Sequence, residues 1–256
     1  MSKQELVEKM NAQPYGYYVL DNDIDFSGMT TNVTQTFMGK LDGNGHKITG
    51  NTIPIFTKIR FGYVKNLILE NTNIPENITN QGALAATTQY SIIEDVSAKN
   101  LKIFFGARND ISLIGGNVST VTYKNCTAER LKFTISSVSD INKLQENPGA
   151  IFTIENDIDF TGYTGSVAVV TGTFTGQIDG KGHTLSNLKN LSLFEKFNGK
   201  IENINIKNFS NETEDNFATA FANQTSGATL KNMRFEGIKL VGANNVAVVS
   251  GQDGES

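Results

Sequence analysis

Val64-Lys-Asn-Leu-Ile-Leu-Glu-Asn71 is the stretch that decides the fold, because its pattern recurs at a regular spacing further along the chain. Ile93-Glu-Asp-Val96 and then Tyr123-Lys-Asn-Cys126 repeat it at nearly equal intervals. The same pattern returns in Ile201-Glu-Asn-Ile204 and Leu230-Lys-Asn-Met233, which are separated by the same interval. A period of roughly 30 residues indicates a solenoid, in which each repeat, here called a rung, buries its apolar side chains against its neighbours.

Apolar and polar residues alternate along each rung, which is the period of a strand with one buried face. The inward positions form columns that are apolar in every rung, so we expect the rungs to stack in parallel. The first column holds Leu67, Val96, Cys126, Ile204 and Met233, and the second holds Leu69, Ala98, Ala128, Ile206 and Phe235. Cys126 is therefore interpreted as a small core residue. A second apolar run in each rung, such as Ser112–Gly115, is expected to form another strand.

The whole module is present twice. Residues 18–28 (YVLDNDIDFSG) reappear as residues 152–162 (FTIENDIDFTG), and residues 37–48 (FMGKLDGNGHKI) reappear as residues 174–185 (FTGQIDGKGHTL). A short helix is expected to open each copy, since Ser2-Lys-Gln-Glu5 fits a capping box and Ser137 begins a second helical pattern. Such helices cover the open end of a solenoid.

The predicted fold is all-β: a right-handed parallel β-helix, that is, a pectin-lyase-like solenoid. It is arranged as two tandem copies, at residues 1–133 and 134–256, each with a short N-terminal capping helix. The second copy ends before its last rung is complete.

Polar residues occupy one column of the repeat, at Asn66, Asp95, Asn125, Asn203 and Asn232. Asn and Asp tolerate left-handed backbone geometry, so they suit a sharp corner. Stacked amides at such a corner can also hydrogen-bond from rung to rung. We interpret this column as a structural ladder.

A conspicuous Asp-Gly-x-Gly-His motif occurs in both copies and contains the only two histidines of the chain. Its members are Asp42, Gly43, Gly45 and His46 in the first copy, and Asp179, Gly180, Gly182 and His183 in the second. Asp and His are capable of acid–base catalysis. A motif that is duplicated in this way is nevertheless more typical of architecture than of one active site, and its glycines suit a reversing turn between two strands.

Paired carboxylates precede this motif, at Asp23 and Asp25 and again at Asp157 and Asp159. Alternating aspartates are weak candidates for calcium ligands. The remaining positions of an EF-hand loop are absent, and strand alternation places Asp23 and Asp25 together on a solvated face. A turn-capping role is the favoured interpretation.

Composition excludes several classes of function. The chain carries 22 basic and 26 acidic residues, a net charge of −4, without a basic cluster, so neither nucleic acid nor an anionic membrane is the expected partner. It contains no run of apolar residues long enough to span a membrane and no apolar signal sequence. There is no His-Glu-x-x-His zinc motif, Gly-x-Ser-x-Gly elbow or P-loop, so we expect neither catalytic residues nor a cofactor.

The repeat and the motif together resemble a known family. Leu41-Asp-Gly-Asn-Gly-His-Lys-Ile48, followed by Val64-Lys-Asn-Leu67 and Tyr123-Lys-Asn-Cys126, is similar to the GLUG-type repeat region of bacterial surface zinc metallopeptidases of the IgA1-protease family. The resemblance covers nearly the whole chain. In that family the β-helical region is accessory to a zinc site in a separate domain, so the resemblance implies a non-catalytic module that contacts a host protein or the parent catalytic domain.

Exposed aromatics would anchor such a contact. The binding candidates outside the inward columns are Phe104, Phe105, Arg108 and Tyr163. Two alternatives stay open: a carbohydrate-active or carbohydrate-binding β-helix, and a free-standing phage or intracellular protein-binding protein. The expected location is the bacterial cell surface or the extracellular space, with the cytoplasm as the alternative.

Overall fold

The computed structural model describes residues 2–75, 82–103, 112–165, 167–213 and 217–253. The fold is mostly β, and all pairings between the described strands are parallel. The chain divides into two compact units, Met1–Leu131 (unit 1) and Lys132–Ser256 (unit 2). The helices are α1 (Lys3–Ala12), α2 (Ser112–Gly115) and α3 (Asn142–Glu146), with a 3-10 turn at Val138–Ile141. Among the described helices, none combines the length and apolar character that a membrane crossing requires.

Eleven strands lie among the described residues of unit 1. They are β1 (Tyr17–Val19), β2 (Ile24–Asp25), β3 (Thr34–Phe37), β4 (Lys40–Asp42), β5 (Lys47–Thr49), β6 (Phe56–Arg60), β7 (Tyr63–Glu70), β8 (Asn73–Ile74), β9 (Ala85–Ile103), β10 (Asn117–Lys124) and β11 (Thr127–Arg130).

The strands of unit 1 stack rung on rung, with a register shift only where Ala128–Arg130 of β11 pairs with β9 among the described strands. Tyr17 pairs with Lys40, Lys40 with Tyr63, Tyr63 with Ile92 and Ile92 with Thr122. The first two steps span fewer residues than the later ones, which have the spacing of the sequence repeat. The Asp-Gly-Asn-Gly-His segment therefore belongs to a shorter rung of the same ladder.

Unit 2 repeats the arrangement. Its strands are β12 (Lys132–Ile135), β13 (Ile151–Ile154), β14 (Ile158–Asp159), β15 (Ala168–Phe174), β16 (Gln177–Asp179), β17 (Thr184–Ser186), β18 (Ser192–Phe197), β19 (Lys200–Lys207), β20 (Ser210–Glu212), β21 (Ala218–Thr219), β22 (Ala222–Thr225), β23 (Thr229–Glu236), β24 (Lys239–Val241), β25 (Val246–Ala247) and β26 (Ser250–Asp253). Ile151 pairs with Gln177, Gln177 with Lys200, and Lys200 with Thr229.

A short helix opens unit 1, as expected, whereas in unit 2 strand β12 precedes the 3-10 turn and α3. Ser2 accepts a hydrogen bond from the backbone N–H of Glu5, whose carboxylate accepts one from the backbone of Ser2, and α1 buries Leu6 and Met10 in the core. In unit 2 the Asp140 carboxylate accepts hydrogen bonds from the backbone N–H groups of Ser136 and Ser137. Leu144 of α3 is buried. The starts of α1 and of the 3-10 turn are thus fixed by side-chain capping.

Stacked apolar side chains fill the interior of each unit. Leu67 and Val96 of the first predicted column are fully buried, and the rings of Phe37 and Phe56 stack 4.9 Å apart. Cys126 is only half-buried, since it lies in the final rung of unit 1; burial raises the pKa of its thiol. Ser112–Gly115 is a helical turn and not the predicted strand, because Gly116 (φ +67°) closes it by donating to the Ser112 carbonyl.

Candidate binding surface

The predicted polar column is a run of left-handed corners. Its five residues have φ between 49° and 57°. The amide of Asn203 donates to Asp179 at 3.0 Å and accepts from Asn232 at 2.9 Å, while Asn66 donates to Asp42 at 3.1 Å and Asn125 to Asp95 at 3.2 Å. These side chains satisfy one another between rungs.

Each Asp-Gly-x-Gly-His segment forms a longer corner that lies against the left-handed corner of the next rung. In the first copy the Gly43 and Gly45 N–H groups donate to the carbonyls of Lys65 and Asn66. β4 and β5, on either side of the first segment, do not pair with each other, and both pair with β7. The prediction of a reversing turn was therefore wrong, since the two strands form no hairpin and each pairs in parallel with β7 of the same sheet. A Cβ on Gly43 would lie 2.4 Å from the Asn66 carbonyl oxygen, so the neighbouring rung leaves room only for glycine there.

Matching contacts hold both copies of this corner. The Asp42 carboxylate accepts hydrogen bonds from the Asn44 N–H and the Asn66 amide, and it pairs with Lys65 at 3.0 Å. Although burial raises the pKa of Asp42, these donors bring it below its usual range. Asp179 accepts from Asn203, which lowers its pKa in the same way.

The candidate calcium ligands are engaged in hydrogen bonds within the protein. Asp23 accepts from the backbone N–H of Lys47 at 3.0 Å and lies 3.2 Å from His46 Nδ1, and both contacts lower its pKa. Asp25 accepts from the N–H and hydroxyl of Ser27.

The second copy repeats these contacts. Asp157 accepts from the N–H of Thr184 and lies 3.1 Å from His183, and Asp159 accepts from Thr161. No group of three or more His, Cys, Asp or Glu side chains arranged for a metal occurs among the residues that the structure describes.

Of the four predicted binding residues, only Tyr163 lies among the residues that the structure describes. Tyr163 is half-buried and packs edge-on against Phe160, with ring centroids 5.4 Å apart. Phe104, Phe105 and Arg108 lie outside the described residues.

A different cluster of aromatic side chains stands out on unit 1, and we call it the aromatic surface. It borders an open groove of about 490 Å³ that is also lined by Gly16, Met38, Gly39, Lys40, Leu41 and Lys65. Its members are Tyr15, Tyr17, Phe61, Tyr63 and Tyr90. Tyr15 is 71%, Tyr17 62%, Phe61 61% and Tyr90 50% exposed, so the surface leaves much apolar area in contact with solvent.

The register of the sheet aligns this surface. Tyr17, Lys40 and Tyr63 occupy one outward column on successive rungs, while Tyr18 and Leu41 in the next column point into the core. Ile92, which is 40% exposed, continues the column beyond Tyr63. Alternation along each strand therefore fixes the side chains outward.

Phe61 and Tyr90 project from the corner beside this column. Both have left-handed backbone conformations, which are unfavourable for bulky residues. Their rings stack 5.3 Å apart, and the Arg60 guanidinium lies 5.0 Å from the centre of the Phe61 ring. Most other left-handed corners among the described residues carry Asn or Gly. The backbone conformation therefore does not account for aromatic residues at Phe61 and Tyr90.

Some charged side chains at the aromatic surface have partners of opposite charge among the described residues, and Lys40 does not. Lys65 forms an ion pair with Asp42. Glu94 accepts a hydrogen bond from the Tyr63 hydroxyl and lies 4.0 Å from Lys124. The side chain of Lys40 forms no ion pair or hydrogen bond among the described residues. The groove therefore carries a positive charge between two tyrosines.

The second copy lacks the aromatic surface. Equivalent positions in its rungs carry Gly149 for Tyr15, Ile151 for Tyr17, Asn198 for Phe61, Lys200 for Tyr63 and Gly227 for Tyr90, and Gln177 replaces Lys40. The two copies share the Asp-Gly-x-Gly-His corner and differ in these outward positions. The difference between Tyr15-Gly-Tyr-Tyr18 and Gly149-Ala-Ile-Phe152 is visible in the sequence alone.

Comparison with known proteins finds one family. Residues 1–100 match the family model described as the M26 IgA1-specific metallo-endopeptidase N-terminal region. The matched segment includes Tyr15, Tyr17, Phe61, Tyr63 and Tyr90. No curated protein and no solved structure shows significant similarity to the chain.

Proposed function

We propose that this chain is a non-catalytic binding module of a metallopeptidase-family protein, and that its aromatic surface contacts a host protein. The match of residues 1–100 to the N-terminal region of a metallo-endopeptidase supports the link to that family. The corresponding location is the bacterial cell surface or the extracellular space.

Each unit is proposed to be a right-handed parallel β-helix built from GLUG-type repeats. Parallel pairing from rung to rung supports this geometry. Connections between parallel strands of one sheet are right-handed in about 98% of cases, which supports the hand. A rigid face of stacked strands holds the aromatic side chains in fixed positions, and this suits recognition of another macromolecule.

The difference between the copies is the single observation that carries the proposal. Features shared by both copies serve the fold common to both, whereas the aromatic surface occurs only in unit 1. Exposed tyrosine and phenylalanine side chains are frequent at the energetic centres of protein interfaces. Asp42 and Glu94, which contact the groove residues Lys65 and Tyr63, are engaged in ion pairs and hydrogen bonds, and this favours binding over acid–base catalysis.

The second copy supplies the replacement residues for a test. In the transplant variant, Tyr17→Ile, Phe61→Asn, Tyr63→Lys and Tyr90→Gly introduce the residues that unit 2 carries at these positions. A matched control carries Gln177→Ser and Lys200→Ser on the outward face of unit 2. Wild type, transplant and control chains are immobilised and exposed first to purified immunoglobulin A1 and then to serum and mucosal proteins, with mass spectrometry of captured and cleaved species.

The proposal predicts uncleaved capture of a specific protein by wild type and control, and its loss with the transplant variant. Equal capture by all three chains would contradict it, as would cleavage of the captured protein by the purified chain. Circular dichroism of the three chains checks that the transplant variant is folded.

Carbohydrate binding is the second candidate. The observation in its favour is the exposure of Tyr15 and Tyr17 beside Lys65, together with the hydrogen bond that the Tyr17 hydroxyl donates to Asp42. A glycan array probed with the same three chains distinguishes the two candidates, since only a sugar ligand would give a signal that the transplant variant loses.

A further inference from the structure

We propose that the aromatic surface binds an extended acidic peptide segment that runs across the rungs of unit 1. In this arrangement an acidic side chain of the segment meets Lys40, and apolar side chains on either side of it contact Tyr17 and Tyr63. The inference rests on the proposed function and specifies the chemistry of its partner.

Spacing along the outward column defines the conformation of the segment. Neighbouring parallel strands lie roughly 4.8 Å apart, so Tyr17 and Tyr63, two rungs apart, are separated by about 9.6 Å at the backbone. A polyproline II segment returns to the same face every three residues, after about 9.3 Å. A β-strand returns to the same face after two residues, or about 6.7 Å, which does not match two rungs. The column therefore fits apolar side chains at positions i and i+3 of a polyproline II segment.

The outward column continues past Tyr63 with an apolar side chain. Ile92 lies one rung further and is 40% exposed, so it offers the segment additional apolar contact. Phe61, which borders the groove at the corner, provides a side wall for the same segment. Aromatic-lined grooves of this kind bind polyproline II segments because the ligand loses little conformational entropy.

Charge determines what lies between the two apolar contacts. Lys40 occupies the rung between Tyr17 and Tyr63, and its side chain has no ionic partner in the described part of the chain. Arg60 adds a second positive charge beside Phe61, where it makes a cation–π contact. Lys65, in contrast, is neutralised by Asp42. Charge complementarity thus favours a carboxylate at position i+1 or i+2 of the segment.

Synthetic peptides test this assignment on the full chain. The probe is a fluorescein-labelled peptide with leucines three residues apart, separated by one glutamate and one proline, and repeated twice. One control peptide carries lysine in place of each glutamate. A second control keeps the composition and moves the leucines to a two-residue spacing. Binding is measured by fluorescence polarisation.

The inference predicts that wild type binds the glutamate peptide at least tenfold more tightly than either control peptide. Lys40→Gln, which introduces the residue of the second copy, should weaken binding of the glutamate peptide about five- to tenfold and should tighten binding of the lysine peptide, because it removes a repulsion between like charges. Raising the salt concentration should reduce the difference in affinity between the glutamate and lysine peptides, because salt screens electrostatic interactions. Lys200→Gln in unit 2, far along the sequence from this column, is the matched control and should change nothing.

Three outcomes would overturn the inference: equal binding of the three peptides, binding of none of them, or binding of oligogalacturonate, an anionic sugar polymer, in place of the glutamate peptide. If the transplant variant still loses its captured host protein in any of these cases, the proposed function stands and only the acidic-segment chemistry fails. If the transplant variant captures that protein as wild type does, the proposed function itself fails.

Discussion

Phe61 and Tyr90 stack 5.3 Å apart on the surface of unit 1 while both hold left-handed backbone conformations, with φ of 55° and 49°. A left-handed conformation costs a non-glycine residue roughly 1–2 kcal/mol, and an aromatic pair regains about 0.5–1.5 kcal/mol. Because the two rings are also exposed, the pair gives the fold little net stability. The pair therefore fits the proposed contact with a partner better than a role in stabilising the fold.

Phe61→Asn should therefore leave the free energy of unfolding unchanged or raise it by up to about 1 kcal/mol, since asparagine tolerates the left-handed region. Chemical denaturation measures the change. Phe61→Ala is the control, because it removes the ring and keeps the strain, and it should destabilise by about 1 kcal/mol. A loss of more than about 2 kcal/mol with Phe61→Asn would show that the stack is a structural element.

Asn203 is expected to be a critical member of the polar ladder, because its amide bonds to Asp179 on one neighbouring rung and Asn232 on the other. Asn203→Ala should lower the free energy of unfolding by about 2 kcal/mol, through the lost hydrogen bonds and the strain of alanine at φ 57°. Asn203→Gly loses the amide without that strain, so thermal denaturation should place it between wild type and the alanine variant. Identical values for the two variants would contradict the role of the left-handed corner.

Gly43 should tolerate no side chain. A Cβ there would lie 2.4 Å from the Asn66 carbonyl oxygen of the next rung, so Gly43→Ala should destabilise unit 1 by about 3 kcal/mol. Gly45→Asn is the matched control, since a Cβ at Gly45 meets nothing and asparagine accepts its φ of 78°. Urea denaturation compares the two. A Gly43→Ala chain as stable as the control would disprove the close contact between rungs.

Asp140 should stabilise unit 2 at neutral pH and lose this effect in acid. Its hydrogen bonds with Lys143 at 2.7 Å and the Ser136 N–H at 2.9 Å lower its pKa from 3.8 to about 2. A carboxyl group with a lowered pKa in the folded state stabilises fully above its unfolded value and loses that effect as the pH falls towards 2. After allowance for solvent screening, the contribution is about 1 kcal/mol. Denaturation of wild type and Asp140→Asn should differ at pH 6 and converge near pH 2, and a constant difference would refute this.

The repeat predicted much of the fold because the determinants of its strands and corners lie within a few neighbouring residues. Inward columns require apolar side chains at alternate positions, and left-handed corners accept few residues other than Asn, Asp and Gly, so Leu67 and Asn66 reveal their environments from sequence alone. The Asp42–His46 corner was misjudged as a reversing turn for the opposite reason. The same Gly-rich residues serve a hairpin and a corner, and only pairing with β7 distinguishes the two.

The aromatic surface was missed because it depends on distant positions. Tyr17, Tyr63 and Tyr90 belong to different rungs, and the first two steps of the ladder are shorter than the repeat that the sequence displays. Without that register, Tyr17 and Tyr63 are unrelated tyrosines. Phe61 lies at a corner, where alternation does not tell whether a side chain points inward or outward.

The affinity of the captured host protein for wild type, the transplant variant and the Gln177→Ser/Lys200→Ser control tests the central claim most directly. Surface plasmon resonance gives the three dissociation constants. The account predicts that the transplant variant binds at least about 100-fold more weakly, as expected when several aromatic anchors are removed, while the control matches wild type. Equal affinities for wild type and the transplant variant, or a loss in the control alone, would contradict it.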